Sequence, residues 1–214
     1  MRALSERSSR ATLAFRVFES DRYTMAIVSI EPTAADRHIA NAIASHTTPD
    51  LEKAAQLLTW GADEKLLLAL AVGAWLYGTR RPPLRPIANH VLAATLLSSI
   101  LPHLLKMGID QTRPDRLTVK GHWRGVPMSG RARDAFPSGH ALHMGALASA
   151  AGMLPSGPRW ALRAVAATLA GSRILLLAHW ASDVVAGFAL GALIERLLRP
   201  VTLNSRTQPE PGER

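Results

Sequence analysis

Five stretches of the chain are apolar over helical lengths: residues 64 to 78, 86 to 105, 139 to 155, 160 to 178 and 183 to 198. The second and fifth are nearly free of charge in their centres. The polar residues of the second (Asn89, His90, Ser98, Ser99, His103) are read as facing the interior of a bundle. Small residues recur at three- and four-residue spacing, Gly187 with Gly191 and Gly145 with Ala148 and Gly152, which suits close helix packing. Ahead of these stretches, residues 33 to 60 space Ile39, Ile43, Leu51, Ala55 and Leu58 as one or two amphipathic helices would. Residues 1 to 32 read as a flexible arm whose first part is polar and basic, with no apolar run long enough for a secretory signal. Residues 200 to 214, rich in Pro, Gln, Glu and Arg, read as a disordered tail. The expectation is one all-α domain over residues 33 to 199, a membrane-associated bundle of about five hydrophobic helices with an amphipathic helical region at its N-terminal side.

Composition narrows this picture. A chain of 214 residues with 48% hydrophobic content supports a single bundle. The 19% of charged residues and a mean hydropathy of +0.08 are close to soluble values, but the charges collect outside the apolar centres. With no cysteine, disulfides and a thiol nucleophile are excluded. The net charge of +9 invites a nucleic-acid reading. That reading fails because the cations are spread over helix ends and no base-reading module or aromatic-basic platform is present. Attraction to anionic lipid, worth about 1 kcal/mol per basic residue near such a surface, is the simpler account.

The chemistry-bearing residues fall into three blocks at the ends of the apolar stretches. In the first, Lys106 and Arg113 are seven residues apart, close to two helical turns, so one helix face would present both, with Pro114 ending the helix. The guanidinium can grip two phosphate oxygens and the ammonium acts as a point charge. Alone, the pair also suits two cations snorkelling to a membrane interface. In the second block, Pro137-Ser138-Gly139-His140 reads as a helix start capped by Ser138. The free N–H groups of Gly139 and His140 and the Ser138 hydroxyl would face an anion, and His140 would protonate a leaving oxygen. In the third, His179 and Asp183 are four residues apart. The carboxylate would hold Nδ1 protonated and leave Nε2 free to attack phosphorus. Arg173 can join them on one phosphate only if its helix ends or bends near Ala178. If all five stretches cross a bilayer, the three blocks meet on one face. There three cations can neutralise phosphate oxygens while two imidazoles divide the roles of nucleophile and proton donor, without a metal.

Taken in order, Lys106 through Pro114, Pro137 through His140, and Ser172-Arg173 through His179 to Asp183 resemble the three-part motif of the type 2 phosphatidic acid phosphatase superfamily, with every motif residue present. The resemblance spans roughly residues 35 to 198. It implies a metal-independent and cofactor-independent hydrolase with a covalent phosphoenzyme on His179, supported by Asp183. His140 would serve as acid and then as base, with Lys106, Arg113, Ser138, Gly139 and Arg173 around the phosphate. The substrates it implies are phospholipid or polyprenyl phosphates: undecaprenyl diphosphate, phosphatidic acid or phosphatidylglycerol phosphate. Rival readings are a soluble acid phosphatase, a vanadate-dependent haloperoxidase and a silent membrane scaffold. The segment from Leu117 to Phe136, with His122, Trp123 and Arg124, is expected to border the entrance. Arg80, Arg81, Arg85, Arg159 and Arg163 lie at turns opposite the motif face, with Arg196 and Arg199 at the end of the last stretch. By the positive-inside rule that side is cytoplasmic, and the motif face of a bacterial inner-membrane protein would be periplasmic. His143, three residues after His140, reads as a packed helix residue.

Overall fold

The computed structural model describes residues 27–115 and 132–203, and within them the chain is almost wholly helical. Helices α1 (Ala34–His46) and α2 (Pro49–Thr59) form the amphipathic region, and a short 3-10 turn (Trp60–Ala62) leads into α3 (Glu64–Thr79). Then follow α4 (Arg85–Gly108), α5 (Gly139–Ala150), α6 (Ser156–Leu175) and α7 (Ala181–Leu203). Local chemistry explains the boundaries. Thr33 caps α1 in a capping box with Asp36, Thr48 caps α2 ahead of Pro49, and Asp63 caps α3 through two backbone N–H groups. Each of the five apolar stretches is helical over most of its length, but the third passes into a 3-10 turn after Ala150 and the fourth ends at Leu175 rather than at residue 178. The last one runs through Pro200 to Leu203, so the first four residues of the expected tail are helical. The expected arm also differs at its end, because Val28–Ser29 (β1) pairs in parallel with Ile109–Asp110 (β2). The remainder of both termini, and residues 117 to 131 of the expected entrance segment, lie outside the described residues.

The bundle is built around α5, which is buried along nearly its whole length between α6 and α7. Glycine makes this possible where α5 meets α7. A methyl group at Gly145 would strike the Phe188 carbonyl, and one at Gly191 would strike the Leu142 carbonyl. These two backbones therefore pack at a distance that only a residue without Cβ allows. Gly152 is different, since a Cβ there meets only ordinary contacts to Arg163 and Arg199 at 3.6 and 3.7 Å. Small residues continue the theme: Ala141, Ala148, Ala166 and Ala170 make the central core with Met144 and Val184.

Helix α4 is the one helix among the described residues that is long and apolar enough to cross a membrane. Its polar residues divide: His90, Ser98 and Ser99 are buried, whereas Asn89 and His103 are exposed, contrary to the expectation that all five point inward. Asn89 accepts from the Trp75 indole and His103 lies near Glu64, so each is satisfied at the surface of the α3–α4 pair. At the end of the bundle away from the motifs, buried Glu195 ties three helices together. Its carboxylate meets His90 of α4 at 3.1 Å, accepts from Ser149 of α5, and pairs with Arg199 one turn on. A buried carboxylate so fully partnered is no longer an isolated charge.

Candidate active site

Helix α4 ends at Gly108, and Arg113 lies in extended chain, so Lys106 and Arg113 do not share a helix face as their spacing suggested. The physical reason is the company the segment keeps. Residues 109 to 113 run between Val28–Ser29 on one side and residues 132 to 135 on the other. Gln111 N donates to Arg133 O, Arg113 N to Ala132 O, and Ala135 N to Gln111 O, at 3.0 to 3.1 Å. These bonds favour extended backbone over another helical turn. The Arg113 side chain is buried at 4% exposure and fixed from behind. Its Nε and one terminal nitrogen reach a single Asp134 oxygen at 2.9 and 2.8 Å, and its other terminal nitrogen donates to Ala178 O at 3.0 Å. Asp134 went unrecognised in the sequence, where it is one carboxylate in a basic loop. Asp134→Ala is expected to raise KM about tenfold with a smaller change in kcat, because Arg113 would lose its aim rather than its charge. Steady-state kinetics on the purified variant measures this.

Ser138 caps α5 as expected, with Oγ accepting from Ala141 N at 3.4 Å, and the Phe136–Pro137 bond before it is cis. The Ser138 backbone donates to the Asp183 carbonyl at 3.3 Å, which joins this turn to the start of α7. Gly139 opens the helix and His140 follows in its first turn. His143 is buried, with Nε2 3.4 Å from the Ser99 hydroxyl, in keeping with a packed histidine.

The chain leaves α6 at Leu175, and Leu177 takes the left-handed conformation (φ 53), a cost of about 1–2 kcal/mol that burial of its side chain offsets. This is the bend that Arg173 and His179 require. The N–H groups of Ala178 and His179 both return to the Arg173 carbonyl, at 3.1 and 3.3 Å, so Arg173 and His179 are held together across the turn. Trp180 anchors the other side, buried against Leu177 and Ala135, with its indole donating to Thr112 O at 2.7 Å.

His179 is 3% exposed, and its Nδ1 lies 2.6 Å from the Ala135 carbonyl. A carbonyl can only accept, so Nδ1 carries the proton and Nε2 has the lone pair. Asp183 does not make that bond. Its nearest oxygen is 3.9 Å from Nδ1 and accepts instead from the Trp180 backbone N–H at 2.8 Å, within the first turn of α7. The tautomer that the sequence assigned to Asp183 is thus set by a backbone carbonyl 44 residues away. Burial, followed by the charges of Arg113, Arg173 and Lys106, pushes His179 well below its ordinary value, against the opposing Ala135 bond, so it is neutral at pH 7. Arg113 of the first block donates to Ala178 O in the third, and the Ser138 backbone of the second donates to Asp183 O, so the three blocks meet at one end of the bundle. Buried Arg173 uses one terminal nitrogen on Thr59 Oγ1 at 3.0 Å, while its Nε has no partner among the described residues. Such an orphaned donor in a cluster of cations fits a bound anion.

Asp36, also overlooked in the sequence, fastens α1 beside the site. It accepts from the Ser182 backbone and hydroxyl at 2.9 and 2.8 Å while capping its own helix with Thr33. Burial alone would raise its pKa, but these hydrogen bonds outweigh it and hold Asp36 below its ordinary value. The stability it contributes is therefore present at neutral pH and is lost only as the pH falls through that lowered value.

A buried, neutral imidazole beside two buried guanidiniums, at one end of an all-α bundle, is chemistry suited to a tetrahedral anion. The model of the PAP2 superfamily matches residues 87–206, more than half of the chain, and the chain belongs to that superfamily. Lipid A 1-phosphatase of Rhizobium etli is 37% identical over 106 residues, 49% of this chain and 46% of the relative. The chain spans about half the length of the curated relatives it matches. The fold is shared with the crystal structure of LpxE from Aquifex aeolicus, at TM-score 0.60 and 19% identity over 79% of this chain and 98% of that one. It is shared too with the first transmembrane PAP2 type phosphatidylglycerolphosphate phosphatase from Bacillus subtilis, at TM-score 0.61 and 21% identity over 82% and 88%.

Proposed function

We propose that this protein is a membrane-embedded, metal-independent phosphatase that hydrolyses a lipid phosphate through a phosphohistidine. The observation that carries the reading is His179: Nδ1 is committed to Ala135 O, and the neutral ring sits among three cations. Nε2 attacks phosphorus as the bond from phosphorus to the lipid oxygen breaks, and His140 gives that oxygen its proton. Arg113, Arg173 and Lys106, with the Ser138 hydroxyl and the Gly139 and His140 N–H groups, take up charge on the phosphoryl oxygens. In the second half His140 removes a proton from water, whose oxygen attacks the phosphohistidine and releases inorganic phosphate with His179 restored. Asp183 steadies the start of α7 and places a carboxylate near the imidazolium that forms.

A bilayer fits the exterior of the bundle. Leu66 and Leu70 on α3, Leu96, Leu97, Ile100 and Leu104 on α4, Val165 on α6, and Val185, Leu193 and Leu197 on α7 are exposed apolar side chains on the outside of helices. Tyr77 with Arg81 and Trp160 with Arg163 form aromatic–arginine pairs at the end away from the site, where aromatic and basic residues suit a membrane interface. Arginines at the far end support a cytoplasmic placement there and a periplasmic site, in a bacterial inner membrane.

The curated relatives are named for the 1-phosphate of lipid A, so a glycolipid 1-phosphate is our first substrate choice, ahead of phosphatidylglycerol phosphate, phosphatidic acid and undecaprenyl diphosphate. Phosphate release from these four lipids and from a water-soluble ester, by purified protein in detergent, tests the reading. The expected result is a clear preference for a lipid, with the rate unchanged in EDTA. Loss of activity on chelation, or release from the soluble ester alone, would sink it.

A further inference from the structure

The last turn of α2 touches the site, yet it carries none of the motif residues. Thr59 Oγ1 accepts from Arg173 at 3.0 Å, and this is the one side-chain hydrogen bond of the Arg173 guanidinium among the described residues. Thr59 is held in turn by the packing of α2 on α6, with Ala55 of α2 in a buried cluster with Leu176 and Ala178. On its outer side the same turn is apolar. Leu57 and Trp60, three residues apart and so on one face, are 76% and 73% exposed, with Leu58 beside them at 44%. Beyond Lys53, the exposed residues of this turn and the one after it (Ala54, Leu57, Leu58, Trp60, Gly61) include no charge. One helical turn thus has a hydroxyl on a phosphate-site cation and an uncovered apolar face next to it.

We propose that the end of α2 recognises both halves of the lipid substrate, with Thr59 a positioning residue for Arg173 and Leu57 and Trp60 a contact surface for the substrate's apolar tail. The proposal rests on the lipid phosphatase reading. Its argument is continuity: a lipid phosphate joins an anion to a hydrocarbon, and the orphaned Nε of Arg173 and the exposed Leu57–Trp60 face are linked through a single hydrogen bond. Without Thr59 the guanidinium keeps its charge but loses the acceptor that fixes its plane, and a planar fork needs its plane fixed to grip two oxygens.

The test uses full-length protein in mixed detergent micelles, with two probes. One is the best lipid phosphate of the panel above; the other is inorganic orthovanadate, which has the anion's shape and no tail, read as an inhibition constant. L57S/W60S is expected to raise KM for the lipid about tenfold, leaving kcat and the orthovanadate constant unchanged. T59V is expected to weaken orthovanadate about tenfold, and T59S, which restores the hydroxyl, to recover it. A tenfold change is about 1.4 kcal/mol, the size of one well-made hydrogen bond to a charged group. Unchanged KM in L57S/W60S, with loss only of liposome binding, would make that face a general membrane anchor and overturn the tail contact. Equal orthovanadate constants in wild type and T59V, or a T59S variant no better than T59V, would overturn the positioning role. Failure of the wild type on every phosphate ester would remove the phosphatase reading itself, and this inference with it.

Discussion

His179→Ala is expected to abolish both turnover and covalent labelling by a phosphate-labelled lipid, a loss of at least about a thousandfold for a missing nucleophile. His140→Ala separates the two steps. If His140 first donates a proton and then activates water, its loss slows both halves, but any phosphoenzyme that forms should persist, because no group is left to deprotonate the attacking water. Acid quenching of single-turnover reactions reads this as a long-lived label. A His179→Ala enzyme that still labels would place the nucleophile elsewhere. The pH dependence follows from the same environment. His179 is held below its ordinary 6.5, chiefly by burial and then by Arg113, Arg173 and Lys106, so the free enzyme keeps a neutral nucleophile as the pH falls through 6.5. Labelling should therefore show no loss centred at that pH. Stability has the opposite sign. The unfolded chain takes up a proton on this residue near 6.5 and the folded protein resists, so the fold loses stability as the pH drops below that range.

The second large effect is structural. Gly145→Val or Gly191→Val should prevent α5 and α7 from packing, since even a methyl group at either position runs into a backbone carbonyl of the facing helix. Overpacking commonly costs about 1–3 kcal/mol, and more where the obstacle is backbone that cannot rotate away. Because α5 carries His140 and α7 carries Asp183, activity should disappear together with the folded state, seen as a lowered thermal unfolding midpoint in detergent. Gly152→Ala is the control and should be tolerated, because its added Cβ makes only ordinary contacts. Gly187→Ala lies between these outcomes. Its Cβ would sit 2.5 Å from the Ser138 carbonyl, so it should disturb the turn before α5 and depress activity more than stability.

Much of this architecture was legible because it is local. Five apolar runs gave five helices, Ser138 was a recognisable cap, and the small residues Gly145, Gly187 and Gly191 marked the closest helix contact. The spacing of Arg173 and His179 even required the bend that Leu177 supplies. The misreadings share a cause. Lys106 and Arg113 looked helical because a seven-residue spacing fits two turns, but parallel pairing with Val28–Ser29 and the bonds to residues 132 to 135 pulled Arg113 into extended chain. Asn89 and His103 looked like interior residues because they lie in an apolar run, yet α3 offers them partners at the surface.

The sequence by itself determined the residue types of the site, their order along the chain and the helix ends on which they sit, since these depend on chemistry and periodicity within a few residues. Only the tertiary structure decided who orients whom. Ala135 rather than Asp183 holds the His179 ring, Asp134 aims Arg113, and Thr59 takes Arg173. Two of these partners lie more than 40 residues from the group they serve, and the Ala135 acceptor is a backbone oxygen that every residue possesses. A hydrogen bond is fixed by where two groups arrive when the helices pack, and that arrival leaves no mark in the local pattern of side chains.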